Sequence, residues 1–307
     1  MNILIFGGTG FIGSALVAAL TAQGDECHVI TRRTSGLPGG KTQYHTWDGQ
    51  EIHQVIPLLD AADAVVNLAG ETIGKWPWSA THKQRVLKSR VRIGQQIASV
   101  FTGGLLPTKK DRVYIQSSGV GYYGNTTQPN LDEQASAGSD FLANVAKEWE
   151  ASTSELDHVA GIRRCVIRTS LVLGKNAGAL PMMALPVRLF AGGQLGDGKQ
   201  GVSWIHIEDE VNAIIHLVNT PSCKGVFNFS APKPLPNSQF MKVMAKVLHR
   251  PSWLPAPSFA LRLALGEMST LLLDGQYAWP KALLESGYEF KFPTLEAALM
   301  DIFRKEA

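Results

Sequence analysis

The sequence predicts an α/β protein with a doubly wound parallel sheet and a small, mainly helical C-terminal lobe. From residue 1 to about 230, short apolar runs alternate with longer amphipathic stretches, as in a parallel sheet covered by helices on both faces. After Phe229 the alternation stops and the periodicity is helical only. We therefore expect a first domain over residues 1–230 and a lobe over residues 231–307 that covers the substrate side.

The strand predictions rest on runs that are apolar on both faces, and the helix predictions on amphipathic periodicity. The predicted strands are Ile3–Phe6, Cys27–Thr31, Ala64–Leu68, Arg112–Ser117 and Arg163–Thr169. The predicted helices between them are Phe11–Gln23, Ser79–Phe101 and Ser139–Leu156. A proline-rich linker over residues 231–236 is followed by predicted helices at Ser238–Leu248, Ser258–Leu273 and Thr294–Phe303.

Composition excludes several classes of protein. The formal net charge of +3 is too small to indicate nucleic acid as the main partner. No apolar run approaches the ~20 residues that span a bilayer, and the N-terminus leads directly into a strand without a secretory leader. The three cysteines are far apart and odd in number, which fits neither a disulfide framework nor a metal site. We expect a cytoplasmic protein with no metal, no membrane contact and no nucleic acid partner.

A glycine-rich turn follows the first strand and opens the first helix. Glycines at 7, 10 and 13 allow a tight turn, close approach of a pyrophosphate to the backbone, and close packing of helix on strand. The helix N-terminus then offers free N–H groups to phosphates. This context predicts a Rossmann-type dinucleotide site. The loop contacts that we expect are those of Gly7, Thr9, Gly10, Phe11, Ile12 and Gly13.

The end of the second strand indicates which dinucleotide binds. An NAD site would carry Asp or Glu there to bind the ribose 2′-hydroxyl. This chain instead has Thr31, Arg32 and Arg33, and guanidinium groups suit a 2′-phosphate. The alternative is a pair of solvated surface arginines. The sequence favours NADP(H).

The motifs together resemble the short-chain dehydrogenase/reductase superfamily in its extended, sugar-epimerase-like branch, and within it the atypical YfcH-like "epimerase family" proteins. The similarity covers nearly the whole chain. The matching segments are 7–13, 67–71, 88–91, 117–124, 141–143 with 149–150, 171–174, 203–207, and 275–276 with Pro280.

The resemblance implies roles for individual residues. Leu68, Ala69 and Gly70 would pass the nicotinamide side of the cofactor, and Asp48 would lie at the adenine. Ser118 matches the catalytic serine of the superfamily, which polarises the reacting oxygen.

The Tyr-x-x-x-Lys pair of the superfamily is missing here. Counting four residues from Phe141 or Leu142 gives Val145 or Ala146, which are neither bases nor cations. Lys147 is one or two positions away, and each position rotates a side chain by about 100° on a helix. Val202 also stands about where nucleotide-sugar epimerases carry an arginine. Standard dehydrogenase or epimerase chemistry is therefore not expected.

Other residues at the carboxyl ends of the strands are candidates for chemistry. Tyr122 and Tyr123 follow Ser118, and either a proton-donor role or simple packing fits them. Arg90 falls inside the apolar stripe of its helix and needs a partner: a cofactor phosphate, a substrate anion or Glu71. Glu71 follows the fourth strand and would orient a hydroxyl or pair with Arg90. His206 alternates with apolar neighbours, which favours a structural histidine.

Two functional hypotheses follow. In the first, the protein is an NADP(H)-dependent oxidoreductase or epimerase-like enzyme acting on an unknown small molecule. Ser118 would polarise the oxygen, Tyr122 or Tyr123 would carry the proton, and Arg90 would anchor an anion. In the second, it is a non-catalytic NADP(H)-binding redox sensor or interaction protein. The sequence leaves the oligomeric state open.

Overall fold

The computed structural model describes residues 1–33, 35–37, 40–106 and 111–304. The strands are β1 (Asn2–Phe6), β2 (Glu26–Thr31), β3 (Gln43–Thr46), β4 (Ala64–Asn67), β5 (Arg112–Gly119), β6 (Ile162–Thr169), β7 (Leu171–Leu173), β8 (Gly201–Val202), β9 (Trp204–His206), β10 (Gly225–Phe229) and β11 (Leu235–Pro236). The helices are α1 (Phe11–Gln23), α2 (Ile56–Ala61), α3 (Ala80–Thr102), α4 (Phe141–Ala151), α5 (Leu180–Arg188), α6 (Ile207–Asn219), α7 (Asn237–Val247), α8 (Ser258–Leu265), α9 (Thr270–Leu273), α10 (Lys281–Glu285) and α11 (Leu295–Arg304).

A seven-stranded sheet in the order β10–β6–β5–β4–β1–β2–β3 organises the molecule. Every pairing in it is parallel, so the predicted doubly wound Rossmann-type sheet is confirmed. The predicted strands agree with the structure to within two residues. The largest difference is in β5, where the pairing with β6 continues to Ser118 and Gly119 opposite Arg168 and Thr169.

Each face of the sheet has its own apolar core, because successive residues of a strand point to opposite faces. Ile3, Ile5 and Val66 pack under α1 and α6. Leu4 and Val65 pack on the other face under α2 and α3. Burying one such side chain stabilises the fold by about 1.5–3 kcal/mol, and the two layers fix the carboxyl ends of the strands at one edge.

A third core belongs to the mainly helical lobe, and it draws on both sides of residue 230. Leu180 and Trp204 pack with Phe240 and Leu299 in one cluster. The segment 171–206 also forms two small sheets, β7 with β9 and β8 with β11. The lobe therefore contains more than the C-terminal residues, and part of the predicted linker pairs as β11 at an edge.

Two predicted helices end earlier in the structure. The helix predicted over Ser258–Leu273 is split into α8, a 3₁₀ turn and α9, because Gly266 adopts a φ of +57° that an α-helix does not contain. The helix predicted over Ser139–Leu156 is α4 followed by a 3₁₀ turn at Ser154–His158. Its start is fixed by the Asp140 side chain, which accepts a hydrogen bond from the Ala143 N–H. No helix in the described ranges is long and apolar enough to cross a membrane.

Candidate functional site

The glycine-rich loop is folded so tightly that a Cβ atom at Gly7 or Gly13 would collide with backbone atoms. Gly7 has a φ of +81°, and a Cβ there would lie 2.8 Å from the Leu68 carbonyl oxygen. A Cβ at Gly13 would lie 2.3 Å from the Gly7 carbonyl oxygen. The Gly10 N–H donates to that same oxygen at 3.0 Å, and no side chain caps the start of α1. The first-turn amides of α1 therefore remain available to a phosphate.

A cavity of about 580 Å³ opens beside this loop, between α1 and the chain that follows β2. Arg33 and Lys41 line it, and no carboxylate of a described residue does. The Arg33 N–H donates to Thr31 Oγ1 at 3.0 Å, which fixes the backbone at the end of β2. Arg32 is exposed and does not line the cavity. The remaining lining residues are Gly8, Thr9, Ser14, Val17, Ala18, Thr21, Ala22, Gly36, Leu37, Gly40, Thr42 and Tyr44.

The end of β4 lies directly against the glycine loop. The Leu68 carbonyl contacts the Cα side of Gly7, and the Ala69 N–H donates to Asn67 Oδ1 at 3.2 Å. Asp48 is exposed after the buried Trp47, and its Oδ1 accepts a hydrogen bond from the Gln50 N–H. The cofactor roles predicted for Asp48, Leu68 and Ala69 stay predictions.

Arg90 is buried between a backbone and an aromatic ring. Its Nη1 donates to the carbonyl oxygens of Glu71 (2.9 Å) and Val86 (3.0 Å). The guanidinium carbon lies 4.8 Å from the ring centre of Trp149 and within 2.9 Å of where a Gly70 Cβ would stand. The Glu71 contact is thus made to its backbone, while Arg90 Nε has no partner among the described residues. Burial lowers the pKa of Arg90 to about 10, so it stays a cation at neutral pH.

Ser118 lies near the end of β5, and its predicted catalytic role stays a prediction. Its side chain is buried, and Oγ donates its only proton to Glu150 Oε1 at 2.7 Å. Glu150 in turn accepts two hydrogen bonds from the guanidinium of Arg168, at 2.8 and 2.9 Å. A hydroxyl with its proton committed to a carboxylate does not polarise a substrate oxygen. This geometry supports a positioning role for Ser118.

Arg168 connects this carboxylate to the turn that carries the two tyrosines. Its Nη1 donates to the Tyr123 hydroxyl at 3.1 Å and to the Glu133 carbonyl oxygen at 3.2 Å. Burial opposes the charge on Arg168, but the Glu150 carboxylate outweighs it and raises the pKa of Arg168 above its ordinary value. Arg168 therefore stays a cation in this buried ion pair.

The two tyrosines differ sharply in their surroundings. The Tyr123 hydroxyl donates to Asn228 Oδ1 at 2.7 Å, and burial raises the pKa of Tyr123 to about 12. The Tyr122 ring lies 3.4 Å from the Arg168 guanidinium carbon, and its hydroxyl has no hydrogen-bond partner among the described residues. The packing alternative therefore fits Tyr123, and Tyr122 retains a hydroxyl that is free to act.

The positions of the missing tyrosine and lysine are apolar and filled. Val145 and Ala146 are both buried on the inner face of α4. Leu142 packs against Gly121, where a Cβ would stand 3.2 Å from the Leu142 Cβ. Because apolar atoms occupy this side of the cleft, the described residues offer no proton donor there.

Two charged groups of the site were missed by sequence reasoning. Glu150 and Arg168 meet through the pairing of β6 with β5 and the packing of α4, which spacing alone does not reveal. The available signal was a cation within the apolar strand run 163–169. Such a charge demands a buried counter-ion, in the way that was argued for Arg90.

Glu210 is a third missed group. It is fully buried at the start of α6, and its Oε1 accepts a hydrogen bond from Thr169 Oγ1 at 2.8 Å. Its Oε2 has no partner, and no cation of the described residues pairs with it. Burial raises the pKa of Glu210 to about 8.

His206 is structural, as its alternation with apolar neighbours predicts. Its Nδ1 accepts a hydrogen bond from the Glu208 N–H and so caps α6. Its ring lies 4.0 Å from that of Phe292, and Asp301 Oδ2 is 3.6 Å from Nε2. Burial lowers the pKa of His206, which keeps the ring neutral at this cap.

The lobe and the sheet domain are joined across the cleft by direct bonds. Lys83 at the start of α3 pairs with Glu267 at 2.7 Å. Gln276 Nε2 donates to the Gly124 carbonyl oxygen at 2.8 Å, next to the turn that carries Tyr122. The lobe therefore covers the carboxyl edge of the sheet.

A parallel sheet in this order, with a glycine-rich turn leading from β1 into α1, defines the NAD(P)-binding Rossmann class. Comparison with known proteins narrows the class. The model of the NAD dependent epimerase/dehydratase family matches residues 3–229, and the chain belongs to that family. A model called domain of unknown function DUF1731 matches residues 256–302.

The relatives confirm the predicted "epimerase family" resemblance. The epimerase family protein YfhF of Bacillus subtilis is 37% identical over 306 residues, which cover 98% of both chains. A chloroplastic SDR39U1 homolog of Arabidopsis thaliana is 35% identical and covers 99% of this chain and 87% of that protein. The crystal structure of human SDR39U1 (isoform 2) with NADPH superposes with a TM-score of 0.87, at 32% identity and 99% coverage of both chains.

The first prediction concerns the Glu150–Arg168 pair. Replacing Glu150 with Ala leaves the Arg168 cation buried without its carboxylate, and we expect the free energy of unfolding to fall by about 3–5 kcal/mol. Glu296→Ala is the matched control, because Glu296 pairs with Lys246 at the surface, where a loss below about 1 kcal/mol is expected. Chemical denaturation measures both; equal losses would contradict the assignment.

The second prediction concerns the glycine loop. In Gly13→Ala the new methyl group meets backbone atoms that only a shift of the loop can relieve. We expect stability to fall by about 1–3 kcal/mol and NADPH to give no thermal stabilisation. Gly74→Ala, which has open space around its Cβ position, should change neither. Retained NADPH stabilisation in Gly13→Ala would show that the loop does not hold the cofactor.

The third prediction concerns pH. The folded protein keeps Glu210 protonated up to about pH 8, whereas the unfolded chain releases that proton near pH 4.5. Between these values the folded state binds more protons, so this group makes stability fall as pH rises, by at most about 1.4 kcal/mol per pH unit. Denaturation of the wild type and Glu210→Gln from pH 5 to 9 checks this: the difference between the two curves should change with pH, and parallel curves would refute it.

Proposed function

We propose that this protein is an NADP(H)-dependent oxidoreductase or epimerase-like enzyme that acts on a small molecule. The observation that carries the cofactor preference is the cavity beside the glycine loop, where Arg33 and Lys41 meet no carboxylate of a described residue. A 2′-phosphate is an anion with several acceptor oxygens, which an arginine binds through charge-assisted hydrogen bonds. An acid at the end of β2 would instead favour NAD.

The remaining cofactor contacts are proposed from the same edge of the sheet. The loop Gly7–Gly13 would hold the pyrophosphate, with Arg32 as an outer cation and Asp48 at the adenine. Residues 68–71 and Arg90 would face the nicotinamide half. Human SDR39U1, which shares this fold at 32% identity, was solved with NADPH, and this supports the proposal.

The cofactor, when bound, supplies or accepts a hydride. The proposed role of Tyr122 is to hold or donate a proton at the reacting oxygen. Its ring is fixed on the Arg168 guanidinium, and Arg168 is itself held by Glu150, which also accepts a hydrogen bond from Ser118. Arg90 Nε would donate to an anionic or carbonyl oxygen, since a buried cation without a partner for that N–H is costly to keep. The lobe, tied down by Lys83 and Glu267, would exclude water.

A second candidate function is supported by a specific observation. The superfamily's lysine falls at Val145 or Ala146, which are apolar and buried, and its tyrosine falls at Phe141 or Leu142. A protein without those groups can bind NADP(H) and report on its redox state without turnover. Both candidate functions, enzyme and redox sensor or interaction protein, use the same cofactor site. They differ in whether Tyr122 takes part in a reaction.

The fourth prediction tests the cofactor preference. Arg33→Ala should weaken NADPH binding about 10- to 100-fold, because a charge-assisted hydrogen bond contributes about 1.5–3 kcal/mol. NADH binding should not change, and Arg32→Ala should have a smaller effect because Arg32 does not line the cavity. Arg85→Ala, an exposed arginine of α3, is the control. Equal loss of NADPH and NADH affinity would contradict the assignment, as would wild-type protein that binds both equally.

The two candidate functions separate by turnover. Oxidation of NADPH against a panel of aldehydes and ketones, followed by absorbance, should be seen with the wild type and be reduced at least tenfold in Tyr122→Phe. Tyr123→Phe should lower the free energy of unfolding, because the hydrogen bond to Asn228 is lost, and should leave the rate per folded molecule nearly unchanged. No turnover across the panel by a protein that still holds NADPH tightly would favour the sensor.

A further inference from the structure

Glu210 lies beneath the carboxyl edge of the sheet with one of its oxygens unpaired. The side chain is 0% exposed, Oε1 accepts a hydrogen bond from Thr169 Oγ1, and Oε2 has no partner. An unpaired charge in such a place costs several kcal/mol, so the neutral acid is the stable form.

The position of Glu210 relates it to the cofactor side of the molecule. Gly174 packs on the Phe11 ring of the glycine loop, and its Cβ position is 3.8 Å from the Ile207 Cβ. Ile207 is the first residue of α6, so the first turn of this helix lies beside the phosphate loop. Glu210 belongs to that same first turn.

The groups that face Glu210 leave it a single polar contact. From β6 the contact is Thr169, and the next residues on the same face of α6, Ala213 and Ile214, belong to the apolar core that α6 shares with α1 and β7. From the segment after α10, Tyr288 is the titratable neighbour, and its hydroxyl donates to Asp209 Oδ1 at 2.9 Å. Asp209, on α6 itself, is saturated by that bond and by the N–H groups of Lys291 and Phe292. Among the described groups around Glu210, the Thr169 hydroxyl is therefore the one that offers a hydrogen-bonded path for its proton.

Thr169 is the last residue of β6 and is partly exposed. It stands in register with Gly119 at the end of β5. In a doubly wound sheet the second half of the strands carries the second mononucleotide, which is the nicotinamide half of the cofactor. The hydroxyl thus lies between a buried acid and the edge where the reaction would take place.

We propose that Glu210 is a proton reservoir of this site, exchanging its proton with the cleft through the Thr169 hydroxyl. The inference rests on the proposed function. In the reduction of a carbonyl, the carbon receives a hydride from the reduced cofactor. Tyr122 would hold that oxygen by a hydrogen bond and keep its own proton, and the oxygen would receive the Thr169 hydroxyl proton. For this transfer the hydrogen bond between the two residues reverses: Glu210, as the neutral acid, donates to Thr169 Oγ1 and passes its proton to it. The carbonyl becomes an alcohol, the cofactor is oxidised by two electrons, and Glu210 is left as a carboxylate.

Charge balance gives this step a consequence that needs no substrate. The nicotinamide ring is positive in NADP⁺ and neutral in NADPH, and a carboxylate is stabilised by a positive charge nearby. Binding of NADP⁺ should therefore release up to about one proton per site near pH 7, and binding of NADPH should release markedly less.

Isothermal titration calorimetry in buffers of different ionisation enthalpy measures this release. With the full-length protein, we expect the excess release on NADP⁺ over NADPH to be lost in Glu210→Gln. It should be kept in Glu208→Gln, an adjacent carboxylate that pairs with Lys291 at the surface. An equal excess in wild type and Glu210→Gln, or no excess in the wild type, would overturn the proposal. Absence of binding by both nucleotides would overturn the proposed function instead.

The relay through Thr169 has its own measurement. Stopped-flow mixing with NADP⁺ and a pH-indicator dye should show proton release at least tenfold slower in Thr169→Val than in the wild type. Thr169→Ser, which keeps the hydroxyl, should restore the rate. An unchanged rate in Thr169→Val would show that the proton leaves by another route and would overturn the relay.

Discussion

The buried charge of Arg168 is the constraint on which the carboxyl edge of this sheet depends. Arg168 is only 3% exposed. Its guanidinium donates to the Glu150 carboxylate, the Tyr123 hydroxyl and the Glu133 carbonyl oxygen, and the Tyr122 ring packs on its face. These partners come from α4, from the turn after β5 and from the chain before α4. A guanidinium suits this task because its donors are fixed in one plane, so satisfying all of them fixes the relative positions of the elements. The floor of the cleft is rigid for that reason. On this floor the Tyr122 hydroxyl makes no hydrogen bond to a described residue.

At the other half of the site, tight backbone packing fixes the relative positions of the elements. Gly7 and Gly13 let the start of α1, the loop and the end of β4 approach within distances that any Cβ would prevent. Close approach leaves backbone amides as the main polar groups that the loop offers, and amides recognise phosphate without regard to which nucleotide carries it. The loop itself therefore does not distinguish NAD from NADP, and in the proposed function the cations that line the adjoining cavity do so.

The sequence predicts the features that depend on local pattern. The strands, the glycine loop and the order of helices follow from periodicity and turn chemistry, and Arg90 is found because a cation interrupts an apolar stripe. The groups that were missed depend on contacts between distant segments: Arg168 and Glu150 are separated by 18 residues, and Glu210 and Thr169 by 41. The hydrogen bond of Ser118 to Glu150 was out of reach of the sequence for the same reason. Its motif fixes its place at the end of β5, whereas the direction in which its proton points is decided by a carboxylate on α4.

Loss of the superfamily's tyrosine and lysine changes what the surrounding protein has to do. At the lysine position, Val145 or Ala146 adds buried apolar surface, which lowers the polarity next to the cleft and makes any charge that develops there more costly. Proton supply by an ionised group paired with a lysine is then unsuitable, and a neutral donor is the better match. Glu210 beneath Thr169 is a neutral acid of this kind. The apolar surroundings that take the place of the standard pair thus favour a neutral acid, which is the form of Glu210.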